Sequence, residues 1–309
     1  MNKLTKAGIA GLFLSLTAVL ASCGSSSETS SDTVAVTADV FPVTVGDLTL
    51  DAQPTRIISL SPTATEMLYA IGAGSQVVAV DEYSNYPAEA VALGTPLSGF
   101  EPNIEAISGY TPDLVIISYD PGSLVEQLST LDIPVFVAGA AMSIENVYEQ
   151  IEQLGVLTGN SQKAIEVSKT LQAGIEEAVA SVQFSEPPLS YYYELDNTYY
   201  SVTSNTFIGQ IFNLFGMRNI ADNVESGNDY PQLSAEVIVS ADPDFIFLAD
   251  TKCCAQDATT VAARDGWGGL KAVTANQVVE LDDDVASRWG PRVLELITAI
   301  RDAVVAANS

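Results

Sequence analysis

Two stretches of this 309-residue chain nearly repeat one another: NIEAISGYTPDLVII at residues 103–117 and SAEVIVSADPDFIFL at residues 234–248. Each copy places a glutamate, Glu105 or Glu236, seven residues ahead of a Pro-Asp pair, and each ends in an apolar run typical of a strand. Proline ends a helix, and aspartate can bond to the turn backbone before a strand. The repeat therefore predicts a short helix, a turn and a central strand at equivalent places in two similar halves.

Strand-type runs alternate with helical patterns around both copies. The first copy is flanked by the runs RIISL, VVAV and VFVAG, and the second by LSYYYEL and VVEL. Helical patterns lie between them, and the first of these, SPTATEMLYAIGAG, carries Thr63 and Glu66 at capping-box spacing. A hairpin is expected ahead of the first half, in FPVTVGDLTL. Alternating strands and helices favour mainly parallel sheets.

A long helix is predicted between the halves, because the apolar residues of segment 161–182 recur at helical spacing without an internal proline. The expected fold is α/β, with two lobes whose mainly parallel sheets are joined by one long helix and whose ligand cleft lies between the lobes. The domain boundaries follow from this pattern: an N-terminal lobe at 39–160, an interdomain helix at 161–184 and a C-terminal lobe at 185–309.

The first residues predict export. Lys3 and Lys6 precede an apolar run too short to span a bilayer, which indicates a cleaved signal at residues 1–22. LASC resembles the lipobox of bacterial lipoproteins, in which the cysteine, here Cys23, is acylated. Residues 23–38 are rich in Ser and Thr and predict a flexible tether. We expect a secreted protein that is lipid-anchored at the outer face of the bacterial cytoplasmic membrane.

Charge and composition exclude several classes of function. The chain has 12 basic and 39 acidic residues, a formal net charge of −27, and no histidine. Such a negative field disfavours nucleic acid and anionic lipid. The absence of histidine removes Ser-His-Asp and Cys-His catalysis and His-ligated metals. A protein that is not an enzyme is predicted, with an extracellular enzyme on the same architecture as the alternative.

Signal, tether, two α/β lobes, long helix and repeated Glu motif together resemble the substrate-binding proteins of ABC importers for cobalamin, ferric siderophores and haem. The blocks that carry the resemblance run from RIISLSPTATEMLYAIGA through VVAVDEYSNYP and LSAEVIVSADPDFIF to ASRWGPRVLELI. It implies delivery of a small-molecule metal chelate to an ABC permease by a monomer without a cofactor or metal of its own. It also implies that Glu105 and Glu236 dock against permease arginines, although a Glu in the first turn of a helix favours the helix dipole as well.

The predicted cleft residues follow the strand ends, where ligands of such proteins bind. Aromatic rings there suit a large flat or macrocyclic ligand, and arginines can meet carboxylate, amide or phosphate groups. Tyr83 matches a cleft tyrosine of the cobalamin-binding members, but Val285 stands where those members have a tryptophan. A corrinoid or ferric siderophore is expected, and haem, as the alternative, would need Tyr or Met ligation. The predicted ligand contacts are Tyr83, Tyr86, Phe100, Tyr119, Arg288, Trp289 and Arg292.

Cys253 and Cys254 are adjacent, and with Cys23 assigned to lipid they are the remaining cysteines of the chain. A bond between neighbouring cysteines is strained, because consecutive Cα atoms lie about 3.8 Å apart whereas disulfides prefer about 4.4–6.8 Å. The sequence leaves open a vicinal disulfide at the cleft wall or two free thiols.

Overall fold

The computed structural model describes residues 39–308. The signal peptide, the lipid-bearing Cys23 and the tether are predictions for residues that lie outside the described range. Among the helices of residues 39–308, none is long and apolar enough to cross a membrane.

The first half opens with an antiparallel hairpin, as expected, and continues as alternating strands and helices. Its elements are β1 (Val43–Val45), β2 (Leu48–Leu50), β3 (Ile57–Leu60), α1 (Pro62–Ala70), β4 (Val77–Val80), α2 (Ala88–Val91), α3 (Ile104–Gly109), β5 (Leu114–Ile117), α4 (Leu124–Ser129), β6 (Val135–Val137) and α5 (Ile144–Thr158).

The second half contains more short helices than its hydrophobic pattern predicts. After the helix α6 (Ser161–Ala180) come β7 (Ser190–Glu194), α7 (Phe207–Asn213), β8 (Arg218–Asn219), α8 (Ala235–Ala241), β9 (Phe245–Leu248), α9 (Ala258–Ala262), α10 (Lys271–Thr274), β10 (Val278–Glu280), α11 (Asp283–Ser287) and α12 (Val293–Ala307).

Each half builds one four-stranded parallel sheet, in the order β4-β3-β5-β6 in the first and β10-β9-β7-β8 in the second. The central strands are buried on both faces, which explains why they read as continuous apolar or aromatic runs. The prediction of two α/β halves with parallel sheets is confirmed. Because the strands of each sheet are parallel, their carboxyl ends lie at the same edge of that sheet. The loops that leave this edge carry the candidate site.

Helix α6 lies between the halves and packs against α5 of the first and α12 of the second. It ends at Ala180, and its apolar positions Leu171, Ile175 and Ala178 are buried, as the spacing predicted. The preceding helix α5 stops at Gly159, which adopts the left-handed conformation at φ +72°.

The aspartates of the two Pro-Asp pairs bind a different part of the backbone from the one expected. The carboxylate of Asp113 accepts hydrogen bonds from the backbone N–H groups of Thr55 and Arg56, directly ahead of β3. Asp244 accepts in the same way from the N–H and hydroxyl of Ser190, the first residue of β7. The expectation that the aspartate bonds to its own turn is therefore wrong. In both halves it fixes the start of the neighbouring strand, which explains why the pair recurs.

The capping-box prediction at the start of α1 is also wrong. Ser61 is the N-cap and accepts from the N–H of Ala64, with Pro62 in the first turn. Glu66 is thus free of any capping role, and its side chain lies buried at the boundary between the halves.

Candidate ligand-binding cleft

Three exposed aromatic side chains form one wall at the carboxyl edge of the first sheet. Tyr83 follows β4, Tyr119 follows β5, and Phe100 lies between them, with exposed fractions of 53%, 44% and 63%. The Phe100 ring meets Tyr83 edge-on at 5.4 Å between centroids and lies 6.3 Å from Tyr119. We call these three residues the aromatic wall. The structure brings together three of the predicted ligand contacts.

Small residues hold the aromatic wall in place. A Cβ on Gly99 would come within 2.7 Å of the Leu60 carbonyl oxygen, so glycine lets the chain carrying Phe100 pass close to β3. Ser84, next to Tyr83, donates to the buried Asp81 carboxylate at 2.5 Å and bonds the Thr65 hydroxyl at 2.8 Å. Burial raises the pKa of Asp81, and the Ser84 hydrogen bond opposes that rise. The rings are therefore exposed on a loop with a fixed base.

A buried ion cluster joins the two halves beside the aromatic wall. Arg288 Nη1 lies 2.8 Å from Glu66 Oε1, and its Nη2 lies 2.7 Å from Asp284 Oδ1. Arg292 donates from Nη2 to Glu66 Oε1 at 2.7 Å and from Nε to Oε2 at 3.0 Å. The side chains of Glu66, Arg288 and Arg292 are 1%, 9% and 16% exposed. We call Glu66, Asp284, Arg288 and Arg292 the interlobe ion network.

The network also holds the loop that carries the tyrosines. Arg288 donates to the Tyr83 carbonyl oxygen at 3.0 Å and to Asn85 Oδ1 at 2.9 Å, and Asn85 donates to Asp284. The guanidinium of Arg292 lies 4.3 Å from the centroid of the Tyr86 ring, a cation–π distance. The loop of the first half is thus fixed to side chains of the second.

The other predicted contacts are not part of the aromatic wall. Tyr86 and Arg292 line a groove of about 1310 Å³ between α1 and α12. Trp289 is half-buried, packs against the core and donates its indole N–H to Gln150 of α5 at 3.1 Å. In this structure both arginines and Trp289 therefore make interlobe contacts.

The cysteine loop follows β9 and is held by consecutive aspartates. The carboxylate of Asp283 accepts from the backbone N–H groups of Lys252 and Cys253, while Asp282 and Asp284 bind the Lys252 ammonium at 2.8 and 2.7 Å. Asp282 also caps α11.

The Sγ atoms of the two cysteines lie 2.7 Å apart, and no disulfide joins them in this structure. Desolvation of the thiol, the neighbouring Cys254 and the carboxylates of Asp283 and Asp250 raise the pKa of Cys253 to about 12. The thiol of Cys253 is therefore protonated at neutral pH. Within residues 39–308, no group of three or more His, Cys, Asp or Glu side chains is arranged to hold a metal ion.

A buried carboxyl pair lies beneath this loop. Glu194, the last residue of β7, accepts two hydrogen bonds from Arg264, whose guanidinium also lies 4.6 Å from the Trp267 ring. Asp250 is fully buried, and neither of its carboxyl oxygens has a hydrogen-bond partner among the described residues. Burial and the Glu194 charge raise the pKa of Asp250 to about 7, while Arg264 opposes the shift. One arginine thus faces two buried carboxyl groups.

The repeated glutamates occupy matching, exposed positions. Glu105 lies in the first turn of α3 behind the N-cap Asn103, and Glu236 in the first turn of α8 behind the N-cap Ser234. Neither carboxylate has an ion-pair partner among residues 39–308. Hydrogen bonds to its own backbone N–H and to Ser234 lower the pKa of Glu236, so it is charged at neutral pH. Each half therefore presents one solvated negative charge at the start of a short helix.

Several residues of the site were not predicted from sequence. Glu66 and Asp284 have no local signal for pairing with arginine, because the partners of Glu66 lie more than 220 positions away in the chain. Tyr200 and Tyr230 are exposed on loops beyond the second sheet, joined by the Tyr200–Gln232 bridge. The exposed Tyr200 directly follows a strand and a turn in LDNTYYS, a signal that could have found it.

Comparisons with known proteins agree on the family. Residues 57–285 match the family described as periplasmic binding protein. The chain is 29% identical to the uncharacterized ABC transporter substrate-binding lipoprotein YvrC of Bacillus subtilis, over 97% of both chains. It is 32% identical to a cobalamin-binding protein of Halobacterium salinarum, over 85% of this chain and 74% of that one.

A solved structure gives the same assignment. The periplasmic vitamin B12 binding protein BtuF of Vibrio cholerae superposes with a TM-score of 0.67 at 28% identity, covering 83% of this chain and 98% of that chain. The fold of that structure is consistent with the parallel sheets described above. It is also consistent with the family match, which covers most of residues 39–308. The chain belongs to the periplasmic binding protein family.

Proposed function

We propose that the protein is a lipid-anchored, extracytoplasmic receptor that binds a metal chelate, a corrinoid or ferric siderophore, and delivers it to an ABC permease without altering it. The aromatic wall carries the proposal. Three large rings, each 44–63% exposed, lie side by side where the halves meet. Exposed aromatic surface of this extent in a two-lobed binding protein is suited to covering a flat or macrocyclic ligand.

The named relatives support this ligand class. Two of them are described as cobalamin- or vitamin B12-binding proteins, and a third as a substrate-binding lipoprotein of an ABC transporter. The lipid anchor rests on the LASC motif at Cys23 and on that third relative.

Titration of the purified protein with cyanocobalamin, ferrioxamine B and haem tests the ligand class. Quenching of Trp and Tyr fluorescence is expected with cyanocobalamin or ferrioxamine B, with a Kd of about 1 μM or tighter, equivalent to about −8 kcal/mol. Tyr83→Ala should weaken the binding at least tenfold, because it removes one ring of the aromatic wall. The matched control is Tyr110→Ala, which changes a half-buried tyrosine of the same half that directly follows α3 and packs against the core. Silence across the whole panel would refute the proposal.

The exposed glutamates are proposed as the permease contacts. Two charges on separate halves can define one orientation against paired arginines. Neither carboxylate has an ion-pair partner among residues 39–308, so both are available to pair with arginines of the permease. The double variant Glu105→Ala/Glu236→Ala should abolish chelate uptake and leave chelate binding unchanged. Glu126→Ala/Glu177→Ala, which changes one exposed carboxylate on α4 and one on α6, is the control. Normal uptake by the first variant would exclude the docking role.

A further inference from the structure

The basic side chains of the interlobe ion network and of the cysteine loop are engaged by carboxylates. Arg288 is shared between Glu66 and Asp284, and Arg292 is bound by Glu66. Lys252, in the cysteine loop, contacts Asp284 and a second aspartate, Asp282. A ligand carboxylate that approached these cations would have to displace a protein carboxylate first.

Displacing Glu66 is especially unfavourable. Its side chain is 1% exposed, so an arginine that turned toward a ligand would leave a buried carboxylate without its counter-charge. Removing one partner of a buried ion pair costs far more than an exposed ion pair returns. The arginines are therefore structural cations that a ligand anion cannot recruit at equilibrium.

The rim of the aromatic wall adds negative charge. Each of its three rings has an exposed acidic neighbour in the chain: Glu82 beside Tyr83, Glu101 beside Phe100, and Asp120 beside Tyr119. The chain as a whole carries a formal charge of −27. Like charges in a cleft raise the energy of an anionic ligand and lower that of a cationic one.

We infer that this cleft selects metal chelates whose periphery is uncharged or cationic, and rejects chelates that carry several carboxylates. The inference rests on the proposed function and narrows it. Amide-bearing macrocycles and hydroxamate chelates with an ammonium group satisfy the requirement, whereas a porphyrin with two propionates and a polycarboxylate chelate do not.

Binding of matched probes tests the inference. Cyanocobalamin, whose ring substituents are amides, and ferrioxamine B, which carries an ammonium group, represent the accepted class. Haem and ferric citrate represent the rejected class. The better accepted probe should bind at least tenfold more tightly than either anionic probe at low salt, and the difference should shrink as salt screens the charges. Tighter binding of haem or ferric citrate would overturn the inference while leaving the receptor function standing; silence across all four probes would overturn both.

A surface variant separates the rim charges from the fold. The triple variant Glu82→Gln/Glu101→Gln/Asp120→Asn removes the acidic rim and leaves the interlobe ion network intact. It should reduce the preference of the cleft for ferrioxamine B over ferric citrate by at least fivefold. The control removes three exposed carboxylates elsewhere, Asp47→Asn/Glu152→Gln/Glu177→Gln, and should leave that preference within twofold. An equal effect of the two triple variants would show that overall charge, rather than the rim of the cleft, governs the preference.

Discussion

Glu66→Gln tests the interlobe ion network most sharply, because it keeps the size of the side chain and removes its charge. The Glu66 carboxylate accepts three N–H donors, one from Arg288 at 2.8 Å and two from Arg292 at 2.7 and 3.0 Å. Glutamine offers one acceptor oxygen and turns an NH₂ group toward the guanidinium donors. The variant thus leaves two largely buried arginines short of counter-charge.

The expected loss of stability follows from what each arginine retains. Arg288 keeps Asp284, Asn85 and the Tyr83 carbonyl, whereas Arg292 keeps its stacking on Tyr86. Breaking a buried pair by removing one partner costs about 3–5 kcal/mol. Because Arg288 retains a carboxylate, we expect the lower end, a decrease of about 3 kcal/mol in the free energy of unfolding.

Urea unfolding followed by circular dichroism measures this change, with indole fluorescence as the second probe because Trp289 lies at the same boundary. In thermal unfolding, the melting temperature of Glu66→Gln should fall by roughly 6–12 °C for a chain of this size. The control Glu177→Gln removes an exposed carboxylate on α6 and should change stability by less than about 0.5 kcal/mol. A loss below about 1 kcal/mol for Glu66→Gln would show that the network does not stabilise the contact between the halves.

Three further predictions concern the single residues Asp250, Cys253 and Gly99. The pKa of Asp250 is raised from its ordinary value to about 7, so the folded protein holds this proton where the unfolded chain has lost it. The free energy of unfolding, measured by urea titration, should therefore fall as pH rises from about 4 through about 7, by up to about 1.4 kcal/mol per pH unit. Asp250→Asn should abolish this fall, and an unchanged pH profile in the variant would refute the role of Asp250. In the reduced protein, Cys253 should react with iodoacetamide measurably only well above pH 9, as peptide mass spectrometry can follow, and rapid reaction at pH 7 would contradict the raised pKa. Gly99→Ala should lower the free energy of unfolding by about 1–3 kcal/mol and weaken chelate binding, because the added Cβ meets the Leu60 carbonyl oxygen. The control Gly109→Ala, whose Cβ would meet open space, should not affect binding. Equal binding by both variants would exclude a positioning role for Gly99.

The fold was accessible from sequence because its signals are local. The apolar runs at Leu114–Ile117 and Phe245–Leu248 are buried strands, and the spacing of segment 161–182 is a helix, since each pattern depends only on neighbours in the chain. The short helices of the second half, such as α9 and α10, contain four or five residues, too few to show a helical period.

The site was only partly accessible, for the opposite reason. Tyr83, Phe100 and Tyr119 follow strands, and the parallel topology brings such positions together. The sequence predicts Arg288 and Arg292 as ligand contacts, and it cannot show that Glu66, in a different half, pairs with both. Pairing between distant residues depends on tertiary structure, which leaves no periodicity or spacing in the chain.

Equilibrium dialysis of the purified protein against cyanocobalamin and ferrioxamine B, followed by absorption spectra and masses of the recovered ligands, tests the receptor function most directly. One of these chelates should be retained at one molecule per chain, with a Kd of about 1 μM or tighter, and should be recovered chemically unchanged. Retention of neither chelate, or recovery of a chemically altered one, would contradict the proposed receptor function.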